Sequence, residues 1–250
     1  MGLPRPIVFG NWKMHGLRAD ALALAGAVAG HAGERSGTLG IFPPFTVVAD
    51  VAREVAGSGI VVGGQDCHPE PKGAFTGSIA AGMLKDVGAT SVIVGHSERR
   101  HGLGETDALV RAKAAAGLAE GLLVVLCIGE TEAQRAAGET VVVLDRQLAE
   151  SLSEAVAADR LVVAYEPVWA IGTGKTATLA DIAEAHAAIG RRLAALAPDA
   201  GEFAILYGGS VKPDNAPQIM AVPGVAGVLV GGASLDPAGF WAIYQGGGGA

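Results

Sequence analysis

The sequence predicts an α/β fold in which eight parallel strands, each followed by a helix, close into a (β/α)8 barrel. Three observations carry this prediction: eight apolar, β-branched runs recur along the 250 residues, helical segments separate them, and no linker interrupts the series. The runs are nearly continuous rather than alternating, which is typical of parallel strands covered on both faces. Such a barrel takes about 250 residues, whereas a doubly wound sheet usually has fewer strands.

The predicted strands are spaced so that a helix fits after each one. They are Ile7–Phe9, Leu39–Phe42, Ile60–Val62, Ser91–Val94, Leu122–Ile128, Leu161–Tyr165, Phe203–Tyr207 and Val225–Val230. The clearest helix spans Thr178 to Ala197, because its apolar residues recur at spacings of three and four; Thr178 is its expected N-cap and Pro198 ends it. The other predicted helices are Leu17–His31, Thr46–Ala56, Ile79–Val87, Glu105–Glu120, Thr131–Ala157, Pro213–Met220 and Pro237–Tyr244.

The whole chain, residues 1–250, is predicted to form one domain. No Pro/Gly/Ser-rich linker divides it, and its only low-complexity stretch is the tail at 246–250, which we expect to fray. Half of the residues are apolar and 17% are charged, a composition typical of compact globular proteins.

Charge, hydropathy and cysteine content exclude several classes of function. The net charge of −7 is spread along the chain without a Lys/Arg run, so nucleic acids and anionic membranes are not expected partners. No apolar run approaches the roughly 18 residues of a membrane span, and residues 1–6 are too short for a signal peptide. Cys67 and Cys127 match no metal spacing and are too few for a disulfide scaffold. We therefore expect a soluble, cytoplasmic protein.

Polar or glycine-rich segments follow five of the predicted strands. Because active sites of (β/α)8 barrels lie at the C-terminal ends of the strands, these segments are expected to converge on one mouth. They are Asn11-Trp12-Lys13, Gly95-His96-Ser97-Glu98-Arg99, Glu166-Pro167, Gly208-Gly209-Ser210 and Gly231-Gly232-Ala233-Ser234.

Glu166 is the first candidate for chemistry. It follows a buried strand, where a carboxylate is costly unless the strand end opens into a site; an ordinary Glu at the barrel rim is the alternative. The segment Pro167–Lys175 comes directly after it and has an apolar tip, which suits a loop that closes over substrate and excludes water. The carboxylate and the lid together indicate function more strongly than either does alone.

His96 follows the fourth predicted strand. A helical turn starting at Ser97 would point free N–H groups and a positive dipole end at this side chain, which favours neutral imidazole. A hydrogen-bonded structural histidine is the alternative. The remaining histidines have no comparable setting and are interpreted as structural or solvated: His15, His31, His68, His101 and His186.

Lys13 and two glycine pairs could bind an anion. Lys13 is the only cation in the first strand-end segment, and a positive charge in the mouth would attract a phosphate and stabilise an oxyanion, although a solvated surface Lys is more common. Gly208-Gly209-Ser210 and Gly231-Gly232 follow strands seven and eight, where barrels frequently bind phosphate through backbone N–H groups. Either pair alone would indicate only a turn.

Several familiar motifs fail on inspection. Gly174-Lys175-Thr176 ends like a P-loop, but Trp169 occupies the position of the first required glycine. The Gly95–Arg99 segment begins like a GxSxG elbow, but Arg99 stands where the last glycine belongs. No dinucleotide fingerprint opens the chain and no cluster has metal-ligand spacing. We therefore expect no cofactor and no metal.

Five segments, in order along residues 7 to 244, closely resemble signatures of the triosephosphate isomerase family. They are Gly10–Met14, Val94–Arg100, Ala164–Gly174, Tyr207–Val211 and Val230–Leu235. The third is long and highly specific, so chance agreement in all five places is negligible.

The resemblance implies a role for each matching position. Glu166 would be the base, His96 the neutral electrophile and Lys13 the cation near an enediolate. The implied substrate contacts are Asn11, Lys13 and the phosphate-binding positions Gly172, Ser210, Gly231 and Gly232. The implied reaction interconverts dihydroxyacetone phosphate and D-glyceraldehyde 3-phosphate through a cis-enediolate, in glycolysis and gluconeogenesis.

The resemblance also implies a homodimer. The segment Gly73–Gly77 is similar to the family's intersubunit loop. Two positions depart from the family's pattern: His15 stands where Asn is common, and Ser78 where Glu is common. Both lie outside the implied catalytic set, and Ser78 bears on the detail of the interface.

Two other functions compete with the isomerase. A phosphosugar aldolase would usually carry a Schiff-base Lys on a barrel strand, and the predicted strands contain no Lys. A non-enzymatic phosphate-binding barrel would keep the glycine turns but need not keep Glu166, His96 and Lys13 together. Their joint presence favours the isomerase.

Overall fold

Eight parallel strands form a closed barrel in the computed structural model, which describes residues 2–31, 33, 36–152, 157–172 and 174–247. The strands are β1 (Ile7–Asn11), β2 (Thr38–Phe42), β3 (Val61–Gly64), β4 (Ser91–Val94), β5 (Leu123–Ile128), β6 (Leu161–Tyr165), β7 (Ala204–Tyr207) and β8 (Gly227–Val230). Each strand pairs with the next in the sequence, and β1 pairs with β8, with Ile7 opposite Gly227. This confirms the predicted (β/α)8 fold.

Two apolar clusters fill the molecule, one inside the barrel and one around it. Among the described residues, the inner cluster contains strand residues such as Ile7, Phe9 and Phe42 and no helical residue. The outer cluster joins alternate strand residues such as Val8 to helical residues such as Ala25. Because both faces of every strand are buried, the strands read as continuous apolar runs in the sequence.

Ten α-helices are assigned in the described residues, and they surround the strands. They are α1 (Arg18–Ala29), α2 (Val48–Glu54), α3 (Ala81–Asp86), α4 (Ser97–Gly102), α5 (Asp107–Ala119), α6 (Glu132–Ala136), α7 (Thr140–Ser151), α8 (Leu179–Leu196), α9 (Ala216–Met220) and α10 (Pro237–Gly246). Short 3-10 turns cover Phe45–Val47, Val168–Ala170 and Gly232–Leu235.

The cap predicted for α8 is confirmed. The Thr178 hydroxyl accepts a hydrogen bond from Asp181 N at 3.2 Å, and Thr178 N donates to the Asp181 carboxylate at 2.9 Å. The helix ends at Leu196, two residues before Pro198. This reciprocal pair satisfies two of the backbone donors that a helix N-terminus leaves free.

Several predictions of element boundaries differ from the structure. The helix predicted over Thr131–Ala157 is two helices, because the chain turns at Gly138, whose φ is +74° and suits glycine in the left-handed region; residues 153–156 lie outside the described part. The helix predicted from Thr46 begins with a 3-10 turn before α2. The tail predicted at 246–250 starts too early, since Gly246 is the last residue of α10; residues 248–250 are not among the described ones.

Neither cysteine forms a disulfide, and both Cys67 and Cys127 are buried. Burial and the neighbouring Asp66 carboxylate raise the pKa of Cys67 to about 12, so this thiol stays protonated at neutral pH.

Within the described ranges, no helix combines the length and the apolar character needed to cross a membrane.

Candidate active site

A cavity of about 350 Å³ opens at the C-terminal ends of the strands. Every site residue predicted from the sequence lines it: Asn11, Lys13, His96, Glu166, Gly172, Ser210, Gly231 and Gly232. The ends of β1, β4, β6, β7 and β8 therefore meet at one mouth, as parallel strands closed into a barrel require.

Glu166 follows β6 directly and is 2% exposed. Its backbone N–H donates to Ile128 O at 2.7 Å, which continues the pairing of β5 with β6 by one residue. One carboxylate oxygen accepts from Ser97 N at 2.9 Å, and the other lies 2.9 Å from His96 Nε2. The buried carboxylate is thus bonded on both oxygens, which is the condition under which burial of a charge is tolerated.

His96 is the N-cap residue of α4. Its Nδ1 accepts a hydrogen bond from Glu98 N at 3.2 Å, so this nitrogen carries no proton. The remaining proton is then on Nε2, which donates to Glu166. The ring with this pattern of bonds is neutral, and α4 fixes the tautomer through its first free N–H groups.

The two side chains shift each other's proton affinity in opposite directions. Burial alone would raise the pKa of Glu166, but His96, the Ser97 N–H and Lys13 together lower it below its usual value. Burial alone would lower the pKa of His96, but the Glu166 carboxylate outweighs it and the pKa is raised. We assign the neutral ring nevertheless, because a proton on Nδ1 would break the bond from Glu98 N. Glu166 is therefore ionised and able to act as a base.

Lys13 holds its position through a strained backbone. Its φ is +53°, a left-handed conformation that costs a non-glycine residue about 1–2 kcal/mol. Asn11 Oδ1 accepts from Lys13 N at 3.0 Å, and Gln65 Nε2 donates to Lys13 O at 2.7 Å. The ammonium group reaches Glu98 at 2.6 Å. Asn11 and Gln65 thus fix the backbone that carries the cation into the mouth.

The glycine segments bring backbone against the cavity. At Gly209 a Cβ would lie 2.2 Å from the Tyr207 hydroxyl oxygen, so no larger residue fits without a shift. At Gly231 a Cβ would lie 3.5 Å from Lys13 Cε, which places this segment beside the cation. Lys212 lines the same cavity and adds a second positive charge to its wall.

The predicted lid begins with a 3-10 turn whose Trp169 is buried. Trp169 Nε1 donates to Glu130 Oε1 at 2.8 Å, and the Arg135 guanidinium lies 4.1 Å from the centre of its indole ring. Farther along, Ile171 and Gly172 line the cavity. The first part of the lid is therefore anchored while its tip faces the mouth; Thr173 lies outside the described residues.

Four residues near the site were missed in the sequence. Glu98 and Lys212 stand two residues after His96 and Ser210, within or beside segments already chosen, and Gln65 and Glu130 follow the ends of β3 and β5. Looking at polar residues behind all eight strands, rather than five, would have found the last two. In the part of the chain that the structure describes, no group of three or more His, Cys, Asp or Glu side chains could hold a metal.

Comparison with known proteins identifies the family. The family model described as triosephosphate isomerase matches residues 6–246. A triosephosphate isomerase of Xanthobacter flavus is 52% identical over 242 residues, covering 96% of this chain and 97% of the relative. A triosephosphate isomerase of Rhizobium meliloti (strain 1021) is 49% identical over 245 residues, covering 96% of this chain and 95% of the relative. The crystal structure of triosephosphate isomerase from Bartonella henselae superposes with a TM-score of 0.90 at 41% identity, covering 97% of this chain and 98% of that one. The chain belongs to the triosephosphate isomerase family.

Proposed function

We propose that this protein interconverts dihydroxyacetone phosphate and D-glyceraldehyde 3-phosphate, the step of glycolysis and gluconeogenesis for which its family is named. One observation carries the proposal. Glu166 and His96 are paired at 2.9 Å in a cavity that is also lined by Lys13 and by backbone from three glycine-containing segments. A base, a proton donor, a cation and a phosphate subsite are the components that this isomerisation needs.

Glu166 is proposed as the base that moves the proton. It would take a proton from C1 of dihydroxyacetone phosphate, leaving a cis-enediolate, and return it to C2 to give the aldehyde. Both oxygens of Glu166 are engaged by Ser97 N and His96, so the carboxylate must leave at least one of these partners to reach a carbon. The lowered pKa of Glu166 keeps it ionised before substrate enters.

His96 is proposed to move protons between the two substrate oxygens. Its Nε2–H now points to Glu166 and would donate to a substrate carbonyl once the carboxylate turns away. The bond from Glu98 N to Nδ1 keeps the second proton off the ring, so that the proton donor is imidazole. Lys13 would stabilise the negative charge that develops on the enediolate oxygens.

The phosphate subsite is assigned to Gly172, Ser210, Gly231 and Gly232. All four line the cavity, and their segments follow β6, β7 and β8. Because the chain carries a net charge of −7, binding of a dianionic substrate depends on local hydrogen-bond donors and on the cations Lys13 and Lys212. Closure of the lid segment 167–175 would exclude water, in which the enediolate could expel its phosphate.

The competing functions are less well supported. None of the eight strands contains Lys, so an aldolase-type Schiff base has no candidate on the barrel wall. A barrel that only binds phosphate would not need the pairing of Glu166 with His96.

A coupled assay tests the proposal. The purified protein is mixed with D-glyceraldehyde 3-phosphate, and dihydroxyacetone phosphate is detected by its reduction with an NADH-dependent dehydrogenase. We expect turnover above about 1 per second, since enzymes of this kind are rarely slower. Folded protein without turnover would contradict the proposed function.

The protein is further proposed to act as a homodimer in the cytoplasm. Large apolar side chains are exposed on the segment Gly73–Gly77 and beside the mouth of the barrel: Phe75 is 43% exposed, Met14 93% and Leu103 67%. Met14 and Leu103 also line a cavity of about 230 Å³ that reaches Asn11, Lys13 and His96. Large exposed apolar side chains are typical of surfaces that bind another protein. A second copy packed over Met14 and Leu103 would cover apolar surface beside the catalytic residues.

A further inference from the structure

Gln147 on α7 binds one backbone residue through both ends of its amide. Gly129 N donates to Gln147 Oε1 at 2.7 Å, and Gln147 Nε2 donates to Gly129 O at 3.1 Å. Gln147 is 4% exposed, so water does not readily replace either bond. Since Gly129 lies one residue beyond β5, a side chain 18 residues away supplies the partners for its N–H and C=O.

Gly129 lies directly against the backbone of Glu166. A Cβ at Gly129 would be 1.8 Å from Glu166 O and 2.6 Å from Glu166 C, so only glycine fits there. The residue before it, Ile128, accepts the hydrogen bond from Glu166 N at 2.7 Å. Any displacement of Gly129 therefore moves the backbone from which the proposed base projects.

The next residue, Glu130, holds the first part of the lid. Its carboxylate accepts from Trp169 Nε1 at 2.8 Å and from the Tyr165 hydroxyl at 3.2 Å. Its carbonyl accepts from Val168 N at 3.1 Å. Gly129 and Glu130 thus form one short segment that contacts both the base and the lid anchor.

We propose that Gln147 is a positioning residue for the isomerisation, which acts by fixing the Gly129–Glu130 segment and through it Glu166 and the anchored start of the lid. This inference rests on the proposed function. Gln147 itself lies outside the cavity and touches no reacting atom; its effect passes through the two hydrogen bonds to Gly129.

Two substitutions separate positioning from simple stability. Gln147→Leu removes both hydrogen bonds. Gln147→Glu keeps the size and the acceptor for Gly129 N but, when ionised, cannot donate to Gly129 O. Leu148→Ala is the matched control, because Leu148 is fully buried on the same helix and its loss weakens the core without removing either bond.

The decisive measurement is how the enediolate intermediate divides between isomerisation and loss of its phosphate. A displaced lid lets water reach the enediolate, so inorganic phosphate released per isomerisation should rise severalfold in both Gln147 variants, with kcat lowered about tenfold and KM within about twofold. Lowering the pH protonates the introduced buried carboxyl group, which can then donate to Gly129 O, so the defect of Gln147→Glu should shrink towards pH 6.

The outcomes distinguish the claims. In Leu148→Ala we expect lower thermal stability, but the same amount of phosphate released per isomerisation as in the wild type. The role of Gln147 would be overturned if folded Gln147→Glu released no more phosphate per isomerisation than wild type up to about pH 9, where the introduced carboxyl group is ionised. An equal rise in Leu148→Ala would overturn it as well. If Gln147→Leu does not fold, Gln147→Glu decides alone. Wild-type protein without isomerase activity would instead contradict the proposed function.

Discussion

The Nε2 of His96 lies 2.9 Å from a carboxylate oxygen of Glu166, and both side chains are buried. Each residue reaches this contact through its own strand end, and the N–H groups at the start of α4 bind both of them. The pair therefore depends on one short helix as well as on the barrel. Several measurable consequences arise from this coupling.

Removal of the imidazole should change the pH dependence as well as the rate. His96 lowers the pKa of Glu166, so His96→Ala should raise that pKa and move the acid limb of the kcat/KM profile to higher pH. Loss of the proton donor should lower kcat by about 10²–10⁴-fold. His101 is exposed, and the control variant His101→Ala should leave kcat and the position of the acid limb unchanged. An acid limb at the wild-type position in His96→Ala would contradict the coupling.

The left-handed backbone of Lys13 predicts a conflict between stability and activity. Lys13→Gly and Lys13→Ala both remove the ammonium group and should both lose most of kcat/KM. Only glycine relieves the strain at φ +53°, so Lys13→Gly should be about 1 kcal/mol more stable than Lys13→Ala. Urea unfolding of the two variants measures the difference. If the two urea unfolding curves had equal midpoints and slopes, the backbone conformation at Lys13 would carry no strain.

Acid stability should depend on a histidine far from the chemistry. His186 is 1% exposed, its Nδ1 lies 3.3 Å from Gly224 O, and burial lowers its pKa from 6.5 to about 4. Between pH 6.5 and pH 4, His186 is protonated in the unfolded chain but not in the folded chain. The free energy of unfolding therefore falls as the pH is lowered through this range, by about 3 kcal/mol in total. Above pH 6.5 His186 has no effect.

The variant His186→Gln isolates that contribution, because Gln does not titrate. The free energy of unfolding should fall less between pH 6.5 and 4 in the variant than in the wild type, while carboxylates contribute equally to both. If the free energy of unfolding fell equally with pH in the wild type and in His186→Gln, the assignment of His186 as a buried neutral ring would be contradicted.

Dimer formation should depend on the apolar surface at the segment Gly73–Gly77. Phe75→Asp should convert a dimer into monomers, as measured by light scattering, because it places a charge on the exposed apolar part of this segment. Val142, 68% exposed on α7, provides the control Val142→Asp, which should remain dimeric. A fully active wild-type monomer would contradict the proposed assembly.

Prediction from sequence succeeded where one physical signal dominates a segment. The eight strands were found because both of their faces are buried, and Thr178 was found as a cap because a threonine directly precedes the apolar periodicity of α8. The barrel rule then placed Glu166, His96 and Lys13 at one mouth before any contact was known.

The rest depends on contacts between distant residues. Nothing in the local sequence of Gln147 shows that it binds Gly129 from another element. The backbone of Lys13 is likewise held by Asn11 and by Gln65, which directly follows β3. The break at Gly138 was predictable in principle, since a glycine in the left-handed region commonly follows the last residue of a helix.

The most direct test of the central claim compares wild type and Glu166→Gln in the same isomerase assay. The amide keeps the shape of the side chain but cannot accept the carbon-bound proton, so kcat should fall at least about 10³-fold while a phosphate-bearing analogue still binds with similar affinity. Near-normal turnover in Glu166→Gln would contradict the assignment of Glu166 as the base.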